Sequence, residues 1–159
     1  MSRLDAFIMR MTAQRDILNS IAGNVVLPDG PILEIGLGNG RTYSHLREQF
    51  PKRRIIAFDR VVGAHKSSVP DMENMVLGEI AETGQTFVGC GAALVHADIG
   101  TGYDDRDAVT LTWLPQMVSG MLAVGGYAVS GLRLEAPELE RLSIPIHLPP
   151  ERYFLYRRS

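Results

Sequence analysis

Gly36, Gly38 and Gly40 are spaced G-x-G-x-G, and Glu34 stands two residues ahead of them. A loop of this composition lets the backbone approach a ligand closely, because no Cβ stands in the way. The dinucleotide fingerprint G-x-G-x-x-G would put its third glycine at position 41, and this chain has Arg41 there. A carboxylate at Glu34 repels a pyrophosphate and attracts an ammonium. The loop therefore suits a nucleoside with a cationic tail better than a dinucleotide. Asp59 follows 19 residues after Gly40, and an acidic residue at about that spacing accepts hydrogen bonds from ribose hydroxyls. His96 and Asp98 are two residues apart and share one face if the strand continues through both. Beside a reacting group, such a pair has the composition of a general base. The histidines at 45, 65, 96 and 147 are scattered. No His, Cys and Asp cluster has metal spacing, so no metal site is expected.

These residues need strands to hold them. Residues 31–35 read as a short buried strand, 42–50 as a helix stopped by Pro51, and 54–59 as a second strand. That is one βαβ unit in about thirty residues. Residues 61–74 contain Gly, Ser and Pro and leave room for only a turn of helix. Residues 75–80 read as a third strand and its exit, 81–89 as a short helix, and 92–98 as a fourth strand. The apolar-periodic stretch 104–124 predicts a long helix, kinked or restarted at Pro115 and ended by Gly125-Gly126. A fifth strand follows at 127–131. Residues 137–142 read as a short helix, and 142–148 with 152–157 as an antiparallel hairpin around Pro149-Pro150-Glu151. Ahead of all this, Ser2 and Asp5 have capping-box spacing. Leu4, Phe7, Ile8, Met11, Leu18 and Ile21 then recur at mostly helical spacing until Gly23 and Asn24. Residues 1–24 thus form an amphipathic helix expected to cover the domain or a partner. Strands alternating with helices predict an α/β fold. Its sheet is doubly wound and mostly parallel, with helices on both faces, and it binds ligands at the carboxyl ends of its strands.

Composition narrows the classes. The 159 residues fit one domain, 1–159, with 45% hydrophobic and 21% charged residues. Sixteen basic and eighteen acidic side chains give a net charge of −2, so no strong positive field is available for a nucleic-acid backbone. Lys52-Arg53-Arg54 and Arg157-Arg158 are short clusters of the kind found on solvated edges. The single cysteine, Cys90, precludes an internal disulfide and is expected to be a small buried residue. No apolar run reaches membrane-spanning length, and the N-terminus lacks a signal pattern. A cytoplasmic location is the resulting expectation.

The segment Leu33-Glu34-Ile35-Gly36-Leu37-Gly38-Asn39-Gly40 resembles the first motif of class I methyltransferases, which use S-adenosylmethionine. The resemblance covers roughly residues 30–159 and implies a Rossmann-like, seven-stranded sheet closed by an antiparallel C-terminal pair. It implies a cofactor site at Glu34, Gly36, Leu37, Gly38, Asn39 and Gly40, with Asp59 and Arg60 at the ribose. Gly78, Glu79 and Ile80 would lie along the adenine, and Asp98 at the methionine end or the acceptor. His96 and Asp98 are the candidate catalytic pair. The product would be S-adenosylhomocysteine. The chain lacks the Asn/Asp-Pro-Pro-aromatic tetrapeptide of many amino-methylating relatives; Asp98-Ile99-Gly100-Thr101 stands in its place. A small-molecule acceptor is therefore expected rather than nucleic acid. Arg15, Tyr43, His65, Trp113 and Arg133 are candidates for its pocket. Two alternatives stand beside this reading: a nucleoside-binding protein or subunit without catalysis, and a nicotinamide-dependent dehydrogenase. A homo-oligomer formed through the first helix is also anticipated.

Overall fold

A computed structural model describes residues 1–159. Strands β1 (Ile32–Ile35), β2 (Ile55–Asp59), β3 (Met75–Leu77), β4 (Ala92–Ala97), β5 (Leu122–Ser130), β6 (Leu139–Leu142) and β7 (Phe154–Arg158) make one sheet. Their order is β3-β2-β1-β4-β5-β7-β6. The first five run parallel, and β7 pairs antiparallel with both β5 and β6. Every residue of β1 and β4 is buried, which is why both are apolar apart from Glu34 and His96 and do not alternate.

The helices are α1 (Arg3–Asn24), α2 (Arg41–Gln49), α3 (Ile80–Thr83), α4 (Asp104–Thr110) and α5 (Leu114–Met121). Ile17, Leu18 and Ile21 of α1 and Tyr43 and Leu46 of α2 pack on one face of the sheet, against Ile32, Ala57, Leu94 and Val129. Leu114, Met117, Val118 and Met121 of α5 pack on the other, against Leu33, Ile35, Phe58 and Val95. The expected two-sided α/β sheet is thus present. Successive strands are added outward in one direction from β1 to β3 and in the other from β4 to β5, and a crevice opens at the carboxyl ends of strands at such a switch point.

The capping box forms as expected. The Ser2 hydroxyl accepts from the Asp5 amide at 3.0 Å and the Asp5 carboxylate accepts from the Ser2 amide at 3.3 Å. The burial of α1 is less even than its apolar spacing predicts. Leu4, Phe7 and Ile8 stay 67, 41 and 53% exposed, while Ala13 through Ile21 supply the packed face. Between β2 and β3 lie two short 3-10 turns, at Lys66–Ser68 and Met72–Asn74, instead of a crossover helix.

The restart expected at Pro115 is present: the stretch 104–124 holds two helices, with Pro115 in the first turn of the second, where its missing N–H costs nothing. Three expectations need correction. That second helix stops at Met121, and Gly125-Gly126 lie inside β5. Ala92 pairs with Leu122 but Leu94 with Tyr127, so β5 carries extra residues as a bulge. Gly125 takes φ 84° there, and a Cβ on Gly126 would sit 2.9 Å from the Ala92 carbonyl oxygen. Residues 137–142 are not helical either: 139–142 form β6, because pairing with β7 outweighs a weak local preference. Last, Cys90 is exposed rather than buried.

Candidate functional site

Backbone hydrogen bonds tie three strand ends together. The Gly36 amide donates to the Phe58 carbonyl at 2.9 Å, and the Asp98 amide donates to the Ile35 carbonyl at 3.1 Å. Above them opens a cavity of about 620 Å³, within the range of about 300–1,000 Å³ usual for small-molecule sites. Of the expected residues, Gly36, Leu37, Gly38, Asn39, Gly40, Asp59, Arg60, Glu79, Ile80 and Asp98 all line it.

The glycine loop serves two purposes. At Gly36, φ is 91° and a Cβ would stand 2.6 Å from Ile99 Cγ2 and 3.0 Å from the Asp98 carbonyl oxygen, so glycine there lets β1 and the end of β4 close together. At Gly38, φ is 53° and a Cβ would meet nothing within 4 Å; that backbone faces open space. The Gly38 amide donates to Asp59 Oδ2 at 2.9 Å, and the Arg60 amide donates to Oδ1 at 2.7 Å. Two backbone donors fix the carboxylate while each oxygen keeps a second lone pair for a ligand. At the rim, the Arg60 guanidinium pairs with Glu79 at 3.2 Å.

Asp98 is held from α1, which its sequence marks only as a covering helix. Gln14 Nε2 of α1 donates to Asp98 Oδ2 at 2.8 Å, and the Thr42 hydroxyl of α2 donates to Gln14 Oε1 at 2.8 Å. Gln14 is 3% exposed and, with Phe7, Arg10 and Met11, forms the α1 wall of the cavity. The signal for these residues is the helical spacing 7, 10/11, 14; in the structure Gln14 is the one polar side chain among the buried residues of α1, beside Ala13, Ile17, Leu18 and Ile21.

Three expected site residues lie elsewhere. Glu34 and His96 are 1 and 0% exposed and do not line the cavity. Their side chains point from adjacent strands to the α1 face, where His96 Nδ1 hydrogen-bonds Glu34 Oε1. On its other side, His96 Nε2 meets the Tyr153 hydroxyl at 2.6 Å. Burial raises Glu34 above the usual carboxylate range. Burial alone would lower His96, but the Glu34 carboxylate beside it prevails and raises it. Both shifts have the folded chain holding protons more tightly than the unfolded one. For His96 the resulting stability is present below the ordinary histidine value of about 6.5 and is lost as pH rises through its folded value; for Glu34 the corresponding contribution is complete only below the ordinary carboxylate value of about 4.3 and is lost as pH rises through its raised one. Tyr153 is pushed well above 10 by burial and stays a neutral phenol. Glu34 is therefore not the carboxylate facing an ammonium, and His96 is beneath the site rather than in it. Gly78 is also off the cavity wall; its missing Cβ leaves room for Thr83 Cγ2, which would be 2.9 Å away.

Among the other pocket candidates, Trp113 lines the cavity. Arg15 is paired with Asp16 at 2.8 Å, and Tyr43 is buried in the core. His65 caps a 3-10 turn, and Arg133 sits 3.9 Å from Glu151. No group of three or more His, Cys, Asp or Glu residues is placed to hold a metal. No helix is long and apolar enough to cross a membrane.

A family model described as S-adenosyl-L-methionine methyltransferase matches residues 1–158. The structure is similar to that of an S-adenosyl-L-methionine methyl transferase from Silicibacter pomeroyi DSS-3, with TM-score 0.87 and 38% identity over 99% of both chains. TrmN from Thermus thermophilus matches with TM-score 0.63 at 12% identity, over 97% of this chain and 48% of that one. A probable spermidine synthase from Corynebacterium glutamicum ATCC 13032 matches with TM-score 0.58 at 15% identity, over 77% of this chain and 46% of that one. These last two share the fold alone. A search of curated proteins gives no match. A nicotinamide-dependent dehydrogenase is thereby set aside, and the expectation carried by the glycine loop and Asp59 stands: the chain belongs to the S-adenosyl-L-methionine methyltransferase family.

Proposed function

We propose that this methyltransferase acts on a small-molecule acceptor taken into the same cavity as the cofactor, with Asp98 as the base that receives the acceptor's proton. The observation that supports this most is the shared enclosure. One cavity of about 620 Å³ is lined both by the glycine loop and Asp59 and by Asp98, Met11 and Trp113.

The residues present fit S-adenosylmethionine. The backbone at Gly38 opens onto the cavity, and the Asp59 carboxylate is pre-oriented by two amides with lone pairs to spare for ribose hydroxyls. Glu79 and Ile80 are suited to the adenine edge and face. When bound, the cofactor supplies an electrophilic methyl on a sulfonium, so the protein's task is chiefly to align a nucleophile with it. Asp98 Oδ2 is engaged by Gln14, which leaves Oδ1 to accept an O–H or N–H proton from the acceptor.

Asp59→Ala should weaken S-adenosylhomocysteine binding by about tenfold or more, since it removes hydrogen bonds to a charged acceptor worth roughly 1.5–3 kcal/mol. Calorimetric titration checks this, and unchanged affinity would remove Asp59 from the cofactor site. The acceptor class is tested by incubating the protein with methyl-labelled cofactor and fractionated cell extract. Label in the low-molecular-weight fraction supports the proposal. Label confined to protein or RNA overturns it.

A further inference from the structure

Two guanidiniums at the cavity mouth have no anion. Arg10, on α1, and Arg41, the first residue of α2, both line the cavity and approach a single ring from different elements. Their Cζ atoms stand 5.8 and 5.9 Å from the Phe7 centroid. Neither takes part in any of the chain's six ion pairs. The other cavity arginine, Arg60, is matched by Glu79. The ring between them is 41% exposed, and it holds both cations by their attraction to its face. An adjoining groove of about 430 Å³ carries Arg3, Arg10 and Arg152 and no carboxylate. The mouth is therefore cationic on a chain whose net charge is −2.

The helix gives this feature a direction. Phe7, Arg10, Met11 and Gln14 fall on one face of α1. Gln14 grips Asp98, so Arg10 lies one turn out from the clamp and Phe7 two turns out, at about 5.4 Å per turn. An acceptor lying along this wall would meet a carboxylate at its inner end, the Met11 side chain in its middle, and two guanidiniums at its outer end.

We infer that the acceptor is a small organic anion, a carboxylic acid or phosphate ester with a short apolar body, whose anionic group is taken by Arg10 and Arg41 while its nucleophile lies at Asp98. Guanidinium is the side chain best matched to such groups, through paired N–H donors in a planar fork. The inference rests on the small-molecule reading above. The low net charge of the chain favours a small anion over the phosphate backbone of a nucleic acid, which requires a broad basic field.

The test is calorimetric. Wild type and Arg10→Gln/Arg41→Gln, each saturated with S-adenosylhomocysteine, are titrated with benzoate, phenyl phosphate, benzamide and benzylamine. In wild type, at least one anion should bind about tenfold more tightly than benzamide, the preference expected of hydrogen bonds between charged partners. In the double variant that preference should fall to about twofold or less, while S-adenosylhomocysteine affinity stays within about threefold. Both arginines are exposed, and surface changes of this kind leave folding nearly untouched; thermal melts confirm it. Absence of an anion preference in wild type overturns the inference. So does a tenfold loss of S-adenosylhomocysteine affinity in the variant, which would assign the guanidiniums to the cofactor's own carboxylate. In the labelling experiment, label only in neutral or cationic small molecules overturns this inference and leaves the small-molecule reading intact. Label only in macromolecules overturns both.

Discussion

Asp98→Asn is expected to lower kcat by about 10²–10⁴-fold, the usual contribution of a positioned general base, on whichever small molecule takes up label. The reasoning starts from geometry. Asp98 follows β4 at the cavity wall, and Gln14 Nε2 donates to one of its oxygens at 2.8 Å. An asparagine keeps the shape and one carbonyl-type acceptor, but it cannot receive a proton. The cofactor's affinity is the discriminating measurement. If Asp98 serves the acceptor, S-adenosylhomocysteine binds the variant within about threefold of wild type while turnover collapses, because only a transition-state interaction is lost. If binding and turnover fall together, Asp98 holds the methionine end of the cofactor and the base assignment is wrong.

The second large effect concerns stability. His96→Ala should cost about 3–5 kcal/mol, because removing one partner of a buried ion pair leaves the other uncompensated. Glu34 is 1% exposed, and its Oε2 already has no partner. Without the imidazole its Oε1 loses its partner too, and the Tyr153 hydroxyl loses its bond to His96. For a domain of this length about 1 kcal/mol corresponds to roughly 2–4 °C in Tm, so a thermal melt should fall by about 6–20 °C. A Glu34→Leu/His96→Leu double variant should melt closer to wild type, since an apolar replacement removes both charges together. A His96→Ala melt within about 2 °C of wild type, the smallest shift expected for even 1 kcal/mol, would refute the idea that the pair matters to the fold.

The parts of this molecule legible in its sequence are those that local composition determines. β1, β2 and β4 are short, mainly apolar runs, β1 and β4 opened by Pro31 and Gly91 and β2 flanked by Arg54 and Arg60, and residues that line a strand end can be counted from such runs. Asp59 was reached in that way, by its distance from Gly40. The capping box at Ser2 and Asp5 is similarly local. What failed was decided by pairing at a distance. Gly125-Gly126 have the composition of a helix end, and only the displaced register against Ala92 and Leu94 turns them into a bulge within β5. Residues 139–142 become a strand because β7 lies beside them.

The site divides in the same way. Counting forward along a strand finds the residues at its end, but it does not say which carboxylate has a neighbour beneath it. Glu34 has acidic character and motif position, and both suit a ligand. His96, 62 residues later, turns it inward. Gln14 was hidden for the converse reason: a glutamine within a helix carries no motif, and its importance lies in reaching a residue 84 positions away.

That reach gives α1 a second property. Its contact with the rest of the chain is concentrated between Ala13 and Ile21, while Leu4, Phe7 and Ile8 remain largely exposed. The helix is held to the domain by side-chain packing and by side-chain hydrogen bonds from Gln14, Asp16 and Asn19, with no strand ladder of its own, and such segments belong to the low-stability end of a protein's local openings. If α1 lifts, the hydrogen bond on Asp98 breaks and one whole wall of the cavity leaves with it, while the seven strands remain paired. Bound ligand touching that wall would resist the lifting, so occupancy of the cavity and docking of the helix are thermodynamically linked.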